Sequence, residues 1–452
     1  MNTMIWDEAL LQKYNVKGPR YTSYPTALLL QSGFQPTAAL QALQQTGPDL
    51  SLYLHVPFCR QLCYYCGCNK VISRDQSKAD RYLAALAQEM AFYQAATDHK
   101  QVTQLHLGGG TPTFLDEAQL RHLLQLLRSH FRFSAQASLS IEIDPRSCDV
   151  AKLALLRELG FSRVSFGVQD FDPQVQQSIN RLQSYAMVAE LVEASRALGF
   201  SSVNLDLVYG LPHQRTDSFA ETLQQVLTLD PDRISLFSYA HLPERFAAQR
   251  KIPEQALPDG NTKLALLALA VQTLQQAGYQ AIGMDHFAKP DDPLAIAQQQ
   301  GQLRRNFQGY TADNSDALLG LGVSAISQVG DQIWQQQKDL NLYYRAFTTQ
   351  GHTIEKGMSL SRDDQIRADL IAALMCNFQL DTQAFAVKWQ LDFTSYFHQS
   401  LQQLQVCVAD QLVQWQGELL QVTARGRPWV RVICACFDAY LLQQPQNYSK
   451  VV

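Results

Sequence analysis

An α/β fold built on parallel strands is predicted for most of this 452-residue chain. Three observations predict it. Apolar strand-like runs alternate with helical patterns from about residue 50 to residue 288. The strand runs are continuously apolar rather than strictly alternating, as parallel strands covered by helices are. Six consecutive strand ends carry polar, glycine or cysteine residues, which is where such barrels place their chemistry. Six or seven βα units in series imply an α/β barrel or part of one, with right-handed crossovers. A doubly wound open sheet competes, and the pattern alone does not separate the two.

The elements read as follows. "LYLHVP" (52–57) is a strand leading into a cysteine-rich loop, and "ADRYLAALAQEMAFYQ" has helical spacing. "VTQLHLGGG" (102–110) is a strand ending in glycines. "LDEAQLRHLLQLLRSHF" is a helix with Asp116 and Glu117 in its first turn, as the helix dipole favours. "ASLSIEIDP", "RVSFGVQDF", "SVNLDLVYGLP", "RISLFSYAHLP" and "QAIGMDHFA" are further strands. Helices at "DVAKLALLRELGF", "YAMVAELVEASRALGF", "DSFAETLQQVLTL" and "NTKLALLALAVQTLQQAGY" separate them. The candidate residues at the strand ends are the cysteine loop, Gly108–Thr111, Glu142, Gln169, Asp206 and Tyr239–Ala240. From about residue 290 the pattern loosens, and after "SLSRDDQIRADLIAALMCNFQLD" helices dominate, with one strand candidate at "ELLQVT". A small, mainly α-helical C-terminal domain of winged-helix type is expected there. Without a basic face it covers the site rather than binding DNA.

Composition narrows the function classes. The chain is 46% hydrophobic and 17% charged with net charge -4, which argues against a nucleic-acid partner. No run of about twenty apolar residues offers a membrane span. The start lacks a basic-then-apolar signal pattern, so the expectation is a cytoplasmic protein and no membrane partner. Cytosolic thiols are kept reduced, and nine cysteines cannot all pair. Both points weigh against disulfides.

Four of those nine, Cys59, Cys63, Cys66 and Cys68, fall in "HVPFCRQLCYYCGCNK" (55–70). Structural zinc commonly takes two separated ligand pairs, and no second pair follows here. The C-x3-C-x2-C spacing of the first three favours an iron–sulfur cluster held by one short loop over zinc. If only three thiolates bind a cubane cluster, one iron keeps an open position, as a catalytic site needs. Cys434 and Cys436, in "WVRVICACFDAYL", read as buried inert thiols.

With Tyr65 before the last cysteine of the trio and "GGGTP" (108–112) ending the next strand, the sequence resembles the radical S-adenosylmethionine (SAM) superfamily. Further stretches extend the likeness over essentially the whole chain. They are "GPRYTSYPT", "CYYCGCN", "GVQDF", "NLDLVYGLP", "YAHLP", "GMDHFAKPDD" and "RRNFQGYT". These resemble the oxygen-independent coproporphyrinogen III oxidase family. The fold so implied is a partial (β/α)6-type, TIM-like barrel of the radical SAM type. Its organisation would be an arm over the active site (1–45), the barrel with cluster and SAM sites (46–300), a connecting segment contributing to the site (301–355) and the helical domain (356–452).

The resemblance implies that Cys59, Cys63 and Cys66 hold a [4Fe–4S] cluster whose open iron is chelated by one SAM. Tyr53, Gly109 and Glu142 would contact that SAM, Glu142 through its ribose hydroxyls. A second SAM would meet Tyr65, Gly110, Thr111, Gln169, Arg181, Asp206, Ala240 and Ile326. A guanidinium such as that of Arg181 pairs bidentately with a carboxylate. Asp206, inside an apolar run, needs a partner to be buried: a ligand group or a protein donor. Cys68 is not expected to ligate; it joins Tyr53 and Glu142 as a candidate catalytic residue, in second-SAM positioning or proton delivery. Lys17, Arg20, Tyr21, Thr22 and Tyr24 on the arm could meet the substrate carboxylates or simply pack as an ordered arm.

The reaction so implied is radical decarboxylation. The reduced cluster cleaves SAM to methionine and a 5′-deoxyadenosyl radical, which takes a hydrogen from the β-carbon of a propionate. Loss of CO2 and one electron leaves a vinyl group, and two propionates of coproporphyrinogen III react to give protoporphyrinogen IX. An electron donor such as flavodoxin or ferredoxin is implied, and a monomer is expected. The rival readings are a haem chaperone, a haem-degrading radical SAM methyltransferase and a structural zinc protein. The chaperones typically lack the fourth cysteine and the "YTSYPT" arm, both present here.

Overall fold

The computed structural model describes residues 8–441. They form two compact units, each discontinuous in sequence. One holds Leu30–Pro258 and Asn314–Ser359; the other holds residues up to Leu29, Asp259–Asp313 and those from Leu360 on.

The first unit contains six strands that pair in parallel in chain order: β1 (Asp49–Val56), β2 (Gln101–Gly109), β3 (Phe133–Ile143), β4 (Phe161–Gln169), β5 (Ser202–Tyr209) and β6 (Arg233–Ser238). Helices α1 (Ser77–Thr97), α2 (Glu117–His130), α3 (Val150–Glu158), α4 (Tyr185–Ala197) and α5 (Thr216–Thr228) connect them. This is the partial barrel the sequence predicts. Helix α2 illustrates the local logic. Asp116 caps it by accepting the Gln119 N–H at 2.9 Å, and the Gln119 side chain accepts the Asp116 N–H at 3.2 Å. Such a reciprocal cap contributes about 1 kcal/mol. Leu120, Leu123, Leu124 and Leu127, spaced along one face, are buried, each adding roughly 1.5–3 kcal/mol of apolar burial.

Beyond β1 the sheet continues through the segment whose sequence pattern loosens. Strand β9 (Ala317–Leu321) pairs in parallel with β1, and β10 (Ile326–Val329), β11 (Gln332–Gln336) and β12 (Ile354–Ser359) follow as antiparallel neighbours. Glycines hide β9 in the sequence. A Cβ on Gly320 would strike the carbonyl of Ile326, so only glycine admits the close β9–β10 return.

In the other unit, helix α6 (Gly260–Gln276) precedes "QAIGMDHFA", which is not a single strand. Two short strands, β7 (Gln280–Ala281) and β8 (His286–Ala288), pair antiparallel, because Gly283 at φ +123° turns the chain between them. Helices α8 (Arg362–Asn377), α9 (Thr382–Trp389), α10 (His398–Ala409) and α11 (Val430–Ala435) dominate the C-terminal region. The "ELLQVT" strand is β15 (Leu419–Val422), centred between β13 (Gln379–Asp381) and β14 (Val413–Gln416). The N-terminal segment packs within this unit. Arg431 donates to the carbonyls of Gly18 and Pro19, the Tyr21 hydroxyl bonds Asp438 at 3.0 Å, and the Ala439 N–H bonds the Tyr24 hydroxyl at 3.0 Å. Among the described residues no helix is long and apolar enough to cross a membrane.

Candidate active site

The C-terminal ends of the parallel strands gather the chemistry. The cysteine loop leaves β1, Gly109 ends β2, Glu142 sits one residue before the end of β3, and Gln169 ends β4. Asp206 lies within β5, and Ala240 follows β6. Neighbouring strands put facing residues in rows: Tyr53 opposite His106, His106 opposite Ser140, and Gly167 opposite Asp206.

Each sulfur of the cysteine trio receives a donor. Thr111 Oγ1 donates to Cys59 Sγ at 3.4 Å, and the backbone N–H of Cys68 donates to Cys66 Sγ at 3.5 Å. Two guanidinium groups reach Cys63 Sγ, from Arg146 at 3.3 Å and Arg181 at 3.5 Å. Donors of this kind suit sulfur in its thiolate, metal-ligating form. Burial pushes the Cys59 thiol up to about 11, against the Thr111 hydrogen bond. Cys66 is lowered to about 6, chiefly by the Cys68 side chain and, against burial, by the Lys70 ammonium. Cys68 itself is exposed, and its thiol is held well above the ordinary value by its hydrogen bond to Cys66. Among the described residues no three Cys, His, Asp or Glu side chains converge on one ion position. Three thiols on one short loop, each with a donor on its sulfur, suit a four-iron cluster, which takes one thiolate per iron.

Around the trio, side chains and glycines shape a cradle. Tyr53 stacks against His106 with ring centroids 6.0 Å apart, and its hydroxyl is 3.1 Å from His55 Nδ1. His55 Nε2 lies 2.9 Å from the Asn69 carbonyl, which can only accept. The proton therefore sits on Nε2, and Nδ1 accepts the Tyr53 hydroxyl. Burial lowers the His55 pKa, keeping the ring neutral. Glu142 accepts the Gly109 N–H at 3.2 Å and pairs with His106 Nε2 at 3.2 Å. Burial alone would raise the Glu142 pKa, but the hydrogen bond and charge of His106 outweigh it and hold the carboxyl below its ordinary range. A Cβ on Gly110 would meet the backbone carbonyl carbon of Pro57 at 2.7 Å, so backbone approaches backbone there.

Tyr65 packs, with Tyr64, on a buried cluster of Val175, Ile179, Val208, Leu211, Tyr239 and Ile252. Gln169 is buried and holds φ +67°, a left-handed backbone that a non-glycine residue rarely adopts outside functional or strained positions. Arg181 is buried, bonds the Gly167 carbonyl at 2.7 Å and pairs with Asp144 at 3.2 Å. Its Nε has no hydrogen-bond partner among the described residues. Such an orphan donor matches a ligand carboxylate or carbonyl. Asp206 accepts from Asn204 at 2.7 Å and Ser165 at 3.0 Å, so protein donors already meet it. The Ala240 carbonyl accepts Gln249 Nε2 at 3.1 Å, and Ile326 begins β10.

Sequence reasoning missed Asp144, Arg146, His55, His106 and Lys70. Asp144 binds Arg146 at 2.6 Å and so joins both arginines of the Cys63 environment. Burial raises the Asp144 pKa, but Arg181 and then Arg146 hold it below the usual aspartate range. The available signal was position, since "DPR" directly follows β3.

A parallel partial barrel with a three-cysteine loop at the end of its first strand defines the radical SAM class of protein. The Radical SAM superfamily model matches residues 53–226, and the HemN C-terminal domain model matches residues 360–429. Over 451 residues the chain is 51% identical to proteins named oxygen-independent coproporphyrinogen III oxidase from Salmonella typhimurium and Escherichia coli, covering 99% of this chain and 98% of each relative. The Pseudomonas aeruginosa protein of that name is 46% identical, with both chains fully covered. A solved structure described as coproporphyrinogen III oxidase (HemN) from Escherichia coli, a radical SAM enzyme, superposes with TM-score 0.93 at 49% identity, over 97% of this chain and 100% of that one. The chain belongs to the oxygen-independent coproporphyrinogen III oxidase family.

Proposed function

We propose that this protein decarboxylates two propionate side chains of coproporphyrinogen III to vinyl groups, giving protoporphyrinogen IX in oxygen-independent haem biosynthesis. The observation that carries the reading is kinship along the full chain, C-terminal region included, at 51% identity to proteins bearing that activity's name. When bound, a reduced [4Fe–4S] cluster and SAM supply the radical that takes a propionate β-hydrogen before CO2 and one electron leave.

In this reading Cys59, Cys63 and Cys66 hold the cluster. The donors on their sulfurs, Thr111, Arg146, Arg181 and the Cys68 N–H, offset the negative charge that three thiolates bring. Glu142, ionised because of His106, accepts hydroxyl hydrogens of the first SAM, while Gly109 keeps the backbone clear. Tyr53, its proton engaged by His55, presents its oxygen lone pairs as an acceptor. A second SAM would be met by Tyr65, Gly110, Thr111, Gln169, Arg181, Asp206, Ala240 and Ile326, with Arg181 Nε as the free donor for its carboxylate. Cys68, exposed beside the trio, acts in positioning or proton delivery rather than ligation. A flavodoxin or ferredoxin as electron donor, a cytoplasmic setting and a monomeric state complete the proposal.

The test is anaerobic incubation of the iron- and sulfide-reconstituted protein with SAM, reductant and coproporphyrinogen III. Vinyl product with CO2 release is expected. Bound haem without decarboxylation would instead mark a chaperone, and metal analysis that finds zinc in a colourless protein, with no iron or sulfide taken up, would remove the radical chemistry altogether.

A further inference from the structure

Helix α1, which follows the cysteine loop, buries two polar side chains that the proposed chemistry leaves unused. Tyr82 and Glu89, seven residues apart, lie on one helical face and are both fully buried. Glu89 Oε2 accepts the backbone N–H of Gly322 at 2.8 Å and the hydroxyl of Tyr343 at 2.5 Å, Tyr343 coming from α7 (Leu340–Gln350). The Tyr82 hydroxyl accepts the N–H of Val323 at 3.0 Å and donates to the carbonyl of His55 at 2.6 Å. The rings of Tyr82 and Tyr343 lie 5.7 Å apart.

These bonds end on site backbone. Gly322 and Val323 come just after the last residue of β9, where ladder partners stop and the N–H groups need acceptors. Gly322 sits at φ +93°, and a Cβ there would strike the Tyr82 hydroxyl and lie 2.8 Å from the His55 carbonyl. Within β9, Gly320 pairs in register with Tyr53. His55 carries the bond onward, since its ring binds Tyr53 and the Asn69 carbonyl of the cysteine loop. One helical face thus ties together the end of β1, the cysteine loop and the turn leading to Ile326.

Stability alone does not call for this arrangement. A buried carboxylate is costly, and a well-packed apolar side chain would serve a plain core contact better. We propose that Glu89, with Tyr82 and Tyr343, is a positioning residue that sets the 320–326 turn against the C-terminal end of β1, and so sets Ile326 and Tyr53 for SAM. The step from turn to cofactor rests on the function proposed above; the clamp on the backbone does not.

The test compares Glu89→Leu, Glu89→Gln and Tyr82→Phe with the unaltered, reconstituted protein by SAM binding and by hydrogen exchange read by mass spectrometry. Glu89→Leu leaves the Gly322 N–H buried without an acceptor. Peptides over 320–326 should then exchange faster while those over β3–β5 stay unchanged. SAM affinity should fall about tenfold, the equivalent of one buried donor left unpaired. Glu89→Gln keeps an oxygen acceptor for Gly322 and should restore exchange and affinity to within about threefold. If Glu89→Leu does not fold, Tyr82→Phe, which keeps the ring and loses only the hydroxyl, should show the same local loosening at 322–323. Unchanged exchange at 320–326 in a folded variant, or loosening spread evenly over β3–β5, would overturn the proposal. If the unaltered protein binds no SAM, the functional reading fails, and the exchange data alone decide the clamp.

Discussion

Replacing Gly108, Gly109 and Gly110 by alanine, one at a time, perturbs the site by graded amounts that the geometry supplies. At Gly108 the new methyl would lie 3.1 Å from the Glu142 carboxyl, which need give by only a few tenths of an ångström while keeping its bonds to the Gly109 N–H and His106. The expected cost is below about 1 kcal/mol, or less than about fivefold in SAM affinity. At Gly109 two penalties add. Its φ of +113° is a backbone that L-residues avoid, and the Cβ would come within 2.7 Å of the His55 ring. That ring is held from both sides by Tyr53 and Asn69. Backbone strain of about 1–2 kcal/mol and overpacking of about 1–3 kcal/mol give roughly 2–5 kcal/mol in total. Even 2 kcal/mol expressed in binding lowers SAM affinity about thirtyfold. At Gly110 the obstacle is backbone, with the Pro57 carbonyl carbon and oxygen at 2.7 and 2.8 Å, and the Gly110 N–H bond to Val56 at 2.8 Å is at stake. The start of the cysteine loop must move, so iron content should fall along with SAM affinity. Gly47→Ala, with nothing within 4 Å and no left-handed φ, is the neutral control. Equilibrium SAM binding, iron analysis and thermal melting on reconstituted protein read the series. A Gly110→Ala protein with the iron content and SAM affinity of Gly47→Ala would refute the reasoning.

Three further outcomes follow from the same site. Asp144→Asn leaves Arg146 and Arg181 without their shared counter-charge, a loss of about 3–5 kcal/mol for a broken buried pair, seen as a lower melting temperature at neutral pH. Because the folded Asp144 pKa is depressed, this stability is present above the ordinary aspartate value and is lost as pH falls through the folded one. The gap to the unaltered protein should close on acidification, and a gap that stays constant would contradict the assignment. Burial raises the Glu89 pKa from 4.5 to about 7, so this group destabilises the fold increasingly as pH climbs between those values, by about 3 kcal/mol in all. Glu89→Gln should therefore gain stability relative to the unaltered protein from about pH 5 to pH 8, and a loss over that range would reverse the sign. Cys68→Ser should retain iron in full, whereas serine at Cys59, Cys63 or Cys66 should lose the cluster; iron loss in Cys68→Ser would make it a ligand.

Much of the barrel was legible because its evidence is local. Continuous apolar runs separated by capped amphipathic helices encode β1 to β6 directly, as Asp116 and the leucines of α2 show. The crowding of the cysteine trio was legible for the same reason: its thiols lie within a few residues of each other. The extension of the sheet through β9–β12 was not, because Gly320 and Gly322 break the apolar signature at the point where close packing demands them. The hairpin at 280–288 was hidden by a single left-handed glycine inside an apolar run.

By itself, then, the sequence determined the order of βα units, the cysteine loop and the glycine strand end, since each is set by neighbours along the chain. Tertiary structure alone decided which charges meet. Asp144 and Arg146 share a turn, yet Arg181 reaches them from beyond β4 to complete the Cys63 environment. Glu89 on α1 meets Gly322 more than two hundred residues away. Contacts of that kind leave no periodic trace, because a buried charge is set by the three-dimensional position of its partners rather than by spacing in sequence.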